Sequence, residues 1–260
     1  MVTASQVALI TGAANVVGER IARELLGRDW VTVLQGADAQ ELSAAADELS
    51  AAAEAPGRVA AFRADLADDQ DRERLVEFAL EEFGRIDLLV SAEPGPPASE
   101  DLLELTREAY SQVIDACVTG PLFLIQHVAN EMVRLTEAGE VEAGKIVLIN
   151  SIGAYTTSTD RTAHCLAAAA ASMLTRLLAD RLSEHGINVY EIRAGLISTG
   201  GTDEVHARYD RLIHEGLTPI RRWGRPQDIA LAVVAVAENM LPYSTGEVIN
   251  VDGGFHLRRL

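Results

Sequence analysis

The stretch Val7-Ala8-Leu9-Ile10-Thr11-Gly12-Ala13-Ala14-Asn15-Val16-Val17-Gly18 decides the fold. Its four leading apolar residues make a strand-length run that stops at Thr11-Gly12, a turn signal. From Gly18 to Leu26 the apolar residues recur with helical period, so the chain opens as strand, tight turn and helix. The same rhythm continues outward. Strand-like runs at 31–34, 59–62, 87–90, 145–149, 188–192 and 247–251 alternate with helical stretches at 40–53, 68–83, 106–135, 162–184 and 226–237. The proline-rich segment 93–97 reads as a loop, because neither a helix interior nor a central strand tolerates it. Strands alternating with helices at this spacing imply right-handed crossovers. The expected fold is α/β, a doubly wound parallel sheet of about seven strands with helices on both faces. No linker-like segment interrupts the series, which makes residues 1–260 one domain.

Charge and composition narrow the function classes. The 260 residues carry 22 Lys+Arg against 39 Asp+Glu, a formal charge of −17. That background repels phosphate backbones and anionic lipid, so nucleic acid and membrane surfaces are not expected as partners. Hydrophobic residues at 48% suffice for a packed core. The two cysteines, Cys117 and Cys165, provide neither a disulfide framework nor metal-ligand spacing, and no metal site is expected. With no signal-like segment after Met1 and no apolar run of about eighteen residues, a reducing, cytoplasmic setting is expected.

In a sheet of this kind the ligand crevice lies beyond the carboxyl ends of the strands where strand order reverses, beside the first strand-to-helix turn. That turn, Asp65 after the third strand, the segment Arg222-Trp223-Gly224-Arg225-Pro226 and the ending Val251-Asp252-Gly253-Gly254 together resemble the short-chain dehydrogenase/reductase family over essentially the whole chain. The resemblance implies a Rossmann-like domain, NAD(P) as cofactor, and hydride transfer on a hydroxy or keto compound, acyl thioesters included. It places Thr11, Gly12, Gly18, Asp65 and Thr199 on the cofactor side, with Thr199 at the nicotinamide carboxamide, and makes Ser151 the family's catalytic serine.

Other positions depart from the family's pattern. Val16 stands where the turn has its middle glycine, and a β-branched side chain there is expected to narrow the space for a dinucleotide. Gly36 and Ala37 fall where a ribose-binding acid or a phosphate-binding arginine belongs, and Ser91-Ala92-Glu93-Pro94 replaces the family's Asn-Asn-Ala-Gly. Counting from Ser151 puts His164 at the catalytic tyrosine, Ala168 at the lysine, and Cys117 at the asparagine of the preceding helix. Arg193 sits near the nicotinamide position, or pairs with Glu191 or Glu93.

These departures lead to the expectation of a degenerate, vestigial NAD(P) site that binds no cofactor tightly. The chain would be a catalytically silent subunit paired with an active paralogous dehydrogenase, or with copies of itself. The small-residue face from Ala167 through Leu174 suits such association, since the family packs the equivalent helix against a partner subunit. Two alternatives stand beside this one: non-redox chemistry of the dehalogenase, lyase or cyclase kind, and an NAD(P)-dependent oxidoreductase in which His164 replaces the tyrosine. His164 also reads as a space-filling helix residue, and Cys117 as a small buried hydrophobe.

Overall fold

The computed structural model describes residues 5–52, 57–96, 101–200 and 203–258. The expectations touching Met1, Ala53, Pro97 and the last two residues lie outside that set. Seven strands, β1 (Val7–Ile10), β2 (Val31–Gly36), β3 (Val59–Arg63), β4 (Leu88–Ser91), β5 (Lys145–Ser151), β6 (Asn188–Ala194) and β7 (Glu247–Val251), form one parallel sheet in the order β3-β2-β1-β4-β5-β6-β7. All residues of β1, β2 and β4 are buried, as a parallel strand covered on both faces requires.

Side-chain alternation divides each strand between two helical layers. Ile10, Leu34 and Val90 face the layer of α1 (Val16–Leu26), α2 (Ala39–Ala52) and α8 (Pro226–Ala237), packing with Ile21, Leu25 and Val233. Leu9, Val33 and Leu89 face the opposite layer, where Leu75 of α3 (Asp69–Phe83), Val128 of α5 (Gly120–Glu137) and Ala179 of α6 (Thr162–Leu182) complete the second core. The doubly wound, Rossmann-like architecture expected from the sequence is therefore the one observed.

After β3 the chain crosses back and pairs β4 with β1, in the register Ala8↔Leu88, Leu9↔Leu89 and Ile10↔Val90. Strand order reverses here, so the carboxyl ends of β1 and β4 flank the crevice. The β1–α1 turn is compact. Gly12 adopts φ 58°, and a Cβ on it would lie 2.5 Å from the Ala92 carbonyl oxygen. A Cβ on Gly18 would lie 2.3 Å from the carbonyl oxygen of Gly12.

Two elements differ from the sequence reading. The helical stretch expected at 106–135 divides into α4 (Arg107–Ile114), a π-helical turn (Asp115–Thr119) and α5. Pro121 lacks the N–H that would bond the Cys117 carbonyl in a regular helix, and the register widens at that point. An unanticipated helix, α7 (Asp203–His214), follows β6. The combined helix Arg107–Glu137 and the helix Thr162–His185 are long and apolar enough to cross a membrane by length and composition, yet both contribute buried residues to the core.

The contact at Gly18 predicts its own cost. Gly18→Ala should destabilise the protein by about 1–3 kcal/mol, the usual penalty of overpacking a closed site. Urea denaturation measures it, and an unchanged midpoint would mean that the turn has slack.

Candidate active site

A cavity of about 820 Å³ opens at the carboxyl end of the sheet. Asn15 and Val16 border it from the turn, Glu93 and Gly95 from the loop after β4, Ser151 from the end of β5, and His164 from α6. Thr199, together with Tyr209 and Leu212 of α7, closes the far side. A second cavity of about 600 Å³ lies toward β2 and β3, bordered by Gly12, Gly36, Ala37, Asp65 and Leu66. Both are lined by Ala14, Asn15, Glu93 and Pro94, which mark the neck where they adjoin.

The turn is held by polar contacts of its own. Asn15 caps α1, its Oδ1 accepting from Val17 N at 2.9 Å and Gly18 N at 3.0 Å, while its Nδ2 donates to the Ala92 carbonyl at 3.0 Å. Thr11 is buried, and its Oγ1 accepts from Ala92 N at 3.1 Å. Thr11 and Gly18 thus shape the crevice from behind, whereas Gly12, Asp65, Ser151, His164 and Thr199 border open space. The sequence reading missed the cap made by Asn15 and the contribution of α7. A signal existed for the latter: Trp223 stacks on His206 with ring centroids 4.8 Å apart, and its Nε1 donates to Asp210 at 2.6 Å, so this tryptophan anchors α7 beside the cavity.

Around the reacting end, Ser151 Oγ accepts from Gly153 N at 3.0 Å. The Nε2 of His164 lies 3.0 Å from the Pro96 carbonyl oxygen. A carbonyl can only accept, so Nε2 carries the proton and Nδ1 the lone pair, and Nδ1 is buried with no hydrogen-bond partner among the described residues. Burial, then the nearby Arg161, lowers the imidazole pKa, with the Pro96 contact opposing. Gly95 packs against both His164 and Cys117, since a Cβ there would lie 2.9 Å from Nε2 and 2.8 Å from Sγ. Burial and the charge of Glu93 push the Cys117 thiol up to about 11, which keeps it protonated at neutral pH and unsuited to nucleophilic attack. Ala168 is buried, and its carbonyl accepts from Asn150 Nδ2 at 2.9 Å.

Arg193 does not border the cavity. Its Nε donates to Glu191 Oε1 at 2.9 Å, and its Nη2 to Ser172 Oγ at 2.7 Å. Of the two roles open to it from sequence, ion pairing with Glu191 is the one observed.

A family model described as enoyl-(acyl carrier protein) reductase matches residues 12–256. The chain belongs to the short-chain dehydrogenase/reductase family. Among members of this family, the 2-dehydro-3-deoxy-D-gluconate 5-dehydrogenase of Dickeya dadantii (strain 3937) is 30% identical over 257 residues, covering 97% of this chain and 96% of the relative. The 3-oxoacyl-[acyl-carrier-protein] reductase of Synechocystis sp. (strain ATCC 27184 / PCC 6803 / Kazusa) is 29% identical over 252 residues, covering 96% of each. The crystal structure of 3-oxoacyl-[acyl-carrier protein] reductase from Brucella melitensis in complex with NAD superposes with a TM-score of 0.90 at 35% identity, covering 98% of this chain and 99% of that one.

Two expectations for this short-chain dehydrogenase/reductase are overturned by these findings. The silent, partner-dependent subunit is contradicted by full-length relatives named as dehydrogenases and reductases. The degenerate cofactor site is contradicted by a structural neighbour that holds NAD. Part of the physical error lies at Val16. It is the first residue of α1, outside the positive-φ region, and 50% exposed, so this position does not need glycine's conformational freedom.

The Arg193 pair carries a test of the scaffold. Glu191 is fully buried, so Arg193→Ala would leave its charge uncompensated and should cost about 3–5 kcal/mol of stability. Denaturant titration checks this; a loss of ligand affinity with stability intact would instead place Arg193 in the site.

Proposed function

We propose that this protein is an NAD(P)-dependent oxidoreductase that interconverts a hydroxyl and a carbonyl group, with His164 in the acid/base position. The observation that carries this reading is the pair of adjoining cavities at the close-packed turn, with Ser151 and the His164 imidazole on the wall of the larger one. The oxidoreductase names of full-length relatives support the reaction class.

The residues fit a dinucleotide in outline. The close-packed turn brings the N-terminus of α1 to the neck between two cavities, which suits a diphosphate. Gly36, Ala37, Asp65 and Leu66 would border the adenosine end, and Thr199 would serve the nicotinamide end. When bound, the nicotinamide ring accepts or donates the hydride. Ser151 Oγ, fixed by Gly153 N, keeps a hydroxyl proton with which to orient the substrate oxygen. In the oxidising direction the neutral His164, once its ring turns to bring the Nδ1 lone pair out of its buried position to the cavity, accepts the substrate's hydroxyl proton, and in the reducing direction the imidazolium returns one.

The lowered pKa of His164 sets the pH dependence. The neutral base prevails above the folded-state pKa, so with cofactor held saturating kcat/KM for the alcohol should stay level at neutral pH and fall only below the ordinary imidazole value of 6.5. His164→Gln should lower kcat by about 10²- to 10⁴-fold. A secondary-alcohol panel with NAD and NADP, read by absorbance of the reduced cofactor, supplies the assay. Turnover untouched by the substitution would make His164 a packing residue.

The protein's partner is, in the same proposal, a second copy of itself. Leu166, Met173 and Leu177 stand at least half exposed along α6, an apolar stripe at helical spacing. The two cysteines are free, which accords with a reducing cytoplasmic compartment. Sedimentation should show a dimer or larger assembly that Met173→Glu with Leu177→Glu dissociates; a monomeric parent protein would end that reading.

A further inference from the structure

Glu93 stands at the neck that joins the two cavities, where a ligand spanning both has to pass. Its Oε1 accepts from Gly12 N at 3.0 Å, sharing that N–H with Gln35 Oε1 at 3.1 Å. Gln35 is itself held by donating through Nε2 to the Ala64 carbonyl at 2.8 Å.

The groups facing Glu93 offer no positive charge. The β1–α1 turn presents an N–H, and β2 presents the neutral Gln35. The end of β3 presents Asp65, whose charge repels that of Glu93. The π-helical turn presents the Cys117 thiol, and Asp115 lies farther along the smaller cavity. No Lys or Arg lines that cavity among the described residues. Arg161 and Arg208 line the larger cavity, and neither is among the charged groups acting on Glu93. A diphosphate at the neck would therefore meet a carboxylate with no neighbouring cation to offset it, and protonation is the remaining way to remove the charge. Burial pushes the Glu93 carboxyl up to about 7, with Asp65 acting in the same direction and Gly12 N–H and Gln35 opposing. The proton is thus available close to neutral pH.

We propose that Glu93 couples dinucleotide binding to the uptake of one proton: protonated, it admits the diphosphate and donates a hydrogen bond, and ionised, it repels it. This inference rests on the oxidoreductase reading of the same cavity. It assigns Glu93 as the residue that sets cofactor affinity, by a charge placed directly over the turn.

Titration calorimetry of the full chain with NADH, from about pH 6 to about pH 9 in buffers of different ionisation enthalpy, tests the coupling. The dissociation constant should be level at the acid end and rise about tenfold per pH unit once Glu93 is ionised, with about one proton taken up per NADH there. Glu93→Gln should bind at every pH as the parent protein binds in acid, without proton uptake. A parent protein whose affinity ignores pH and whose binding takes up no proton overturns the coupling alone, as does a Glu93→Gln variant that keeps the full pH dependence. If NADH binds neither protein at any pH, the oxidoreductase reading falls and the coupling falls with it.

Discussion

The backbone of the β1–α1 turn lies pressed against the end of β4, and the turn side of the cavity, from Asn15 to Glu93, takes its shape from that contact. Gly12 can approach the Ala92 carbonyl only because it lacks a Cβ and adopts a positive φ. Gly18, six residues later, likewise lacks the Cβ that would collide with the carbonyl of Gly12 itself. Three hydrogen bonds tie the two segments: Thr11 N to Val90 O at 3.0 Å, Ala92 N to Thr11 Oγ1 at 3.1 Å, and Asn15 Nδ2 to Ala92 O at 3.0 Å. Each contributes only about 0.5–1.5 kcal/mol net, but leaving any of these buried groups unpaired would cost about 1–3 kcal/mol. The spacing of β1 and β4 is accordingly held, and Glu93, two residues beyond β4, is carried over the Gly12 N–H.

A buried polar cluster organises the other side of the crevice. Glu191 receives Asn150 Nδ2 at 2.9 Å, Ser172 Oγ at 2.5 Å and Arg193 Nε at 2.9 Å, so β5, β6 and α6 meet at one carboxylate. Asn150 also receives Ser151 N at 2.8 Å through its Oδ1 and donates to the Ala168 carbonyl. Ser151 and the helix that carries His164 are therefore linked through a shared network rather than through loose side chains. Such a network is costly to leave half satisfied, and fully satisfied it fixes geometry that apolar packing alone would leave adjustable.

Much of this was legible in the sequence, for reasons that particular residues make plain. The strands stood out because parallel strands covered on both faces are continuous apolar runs, as at Val7–Ile10 and Leu88–Ser91. Counting from Ser151 placed His164 at the cavity because spacing along a strand, loop and helix survives a change of side chain. Conformation did not follow from identity. Val16 read as an obstruction because a glycine was expected there, although its position at the start of α1 requires no unusual backbone. Helix α7 was missed although the stretch is locally amphipathic; Trp223, which seats it, meets His206 and Tyr209 from across a loop. The break between α4 and α5 was missed although Pro121, which cannot donate to the Cys117 carbonyl, marked it in the sequence.

In the proposed reading, in which His164 and Ala168 stand at the family's tyrosine and lysine positions, the exchange is coherent on electrostatic grounds. A phenol ordinarily titrates near pH ~10 and needs a neighbouring cation to act near neutrality, whereas an imidazole titrates near ~6.5 unaided. With His164 in place, a lysine four residues on would be a second positive charge beside Arg161, both acting to lower the imidazole pKa. Tyr155 offers no substitute: its hydroxyl donates to Asp252 at 3.2 Å, and burial with that carboxylate pushes it up to about 12. The lysine position is instead filled by a buried alanine whose backbone carbonyl holds Asn150. A bulky, solvated ammonium there would have to displace part of the packing that seats α6 on the sheet. With His164 as the proposed acid/base, histidine at 164 and alanine at 168 are mutually consistent, because the first would remove the need for the cation that the second leaves out.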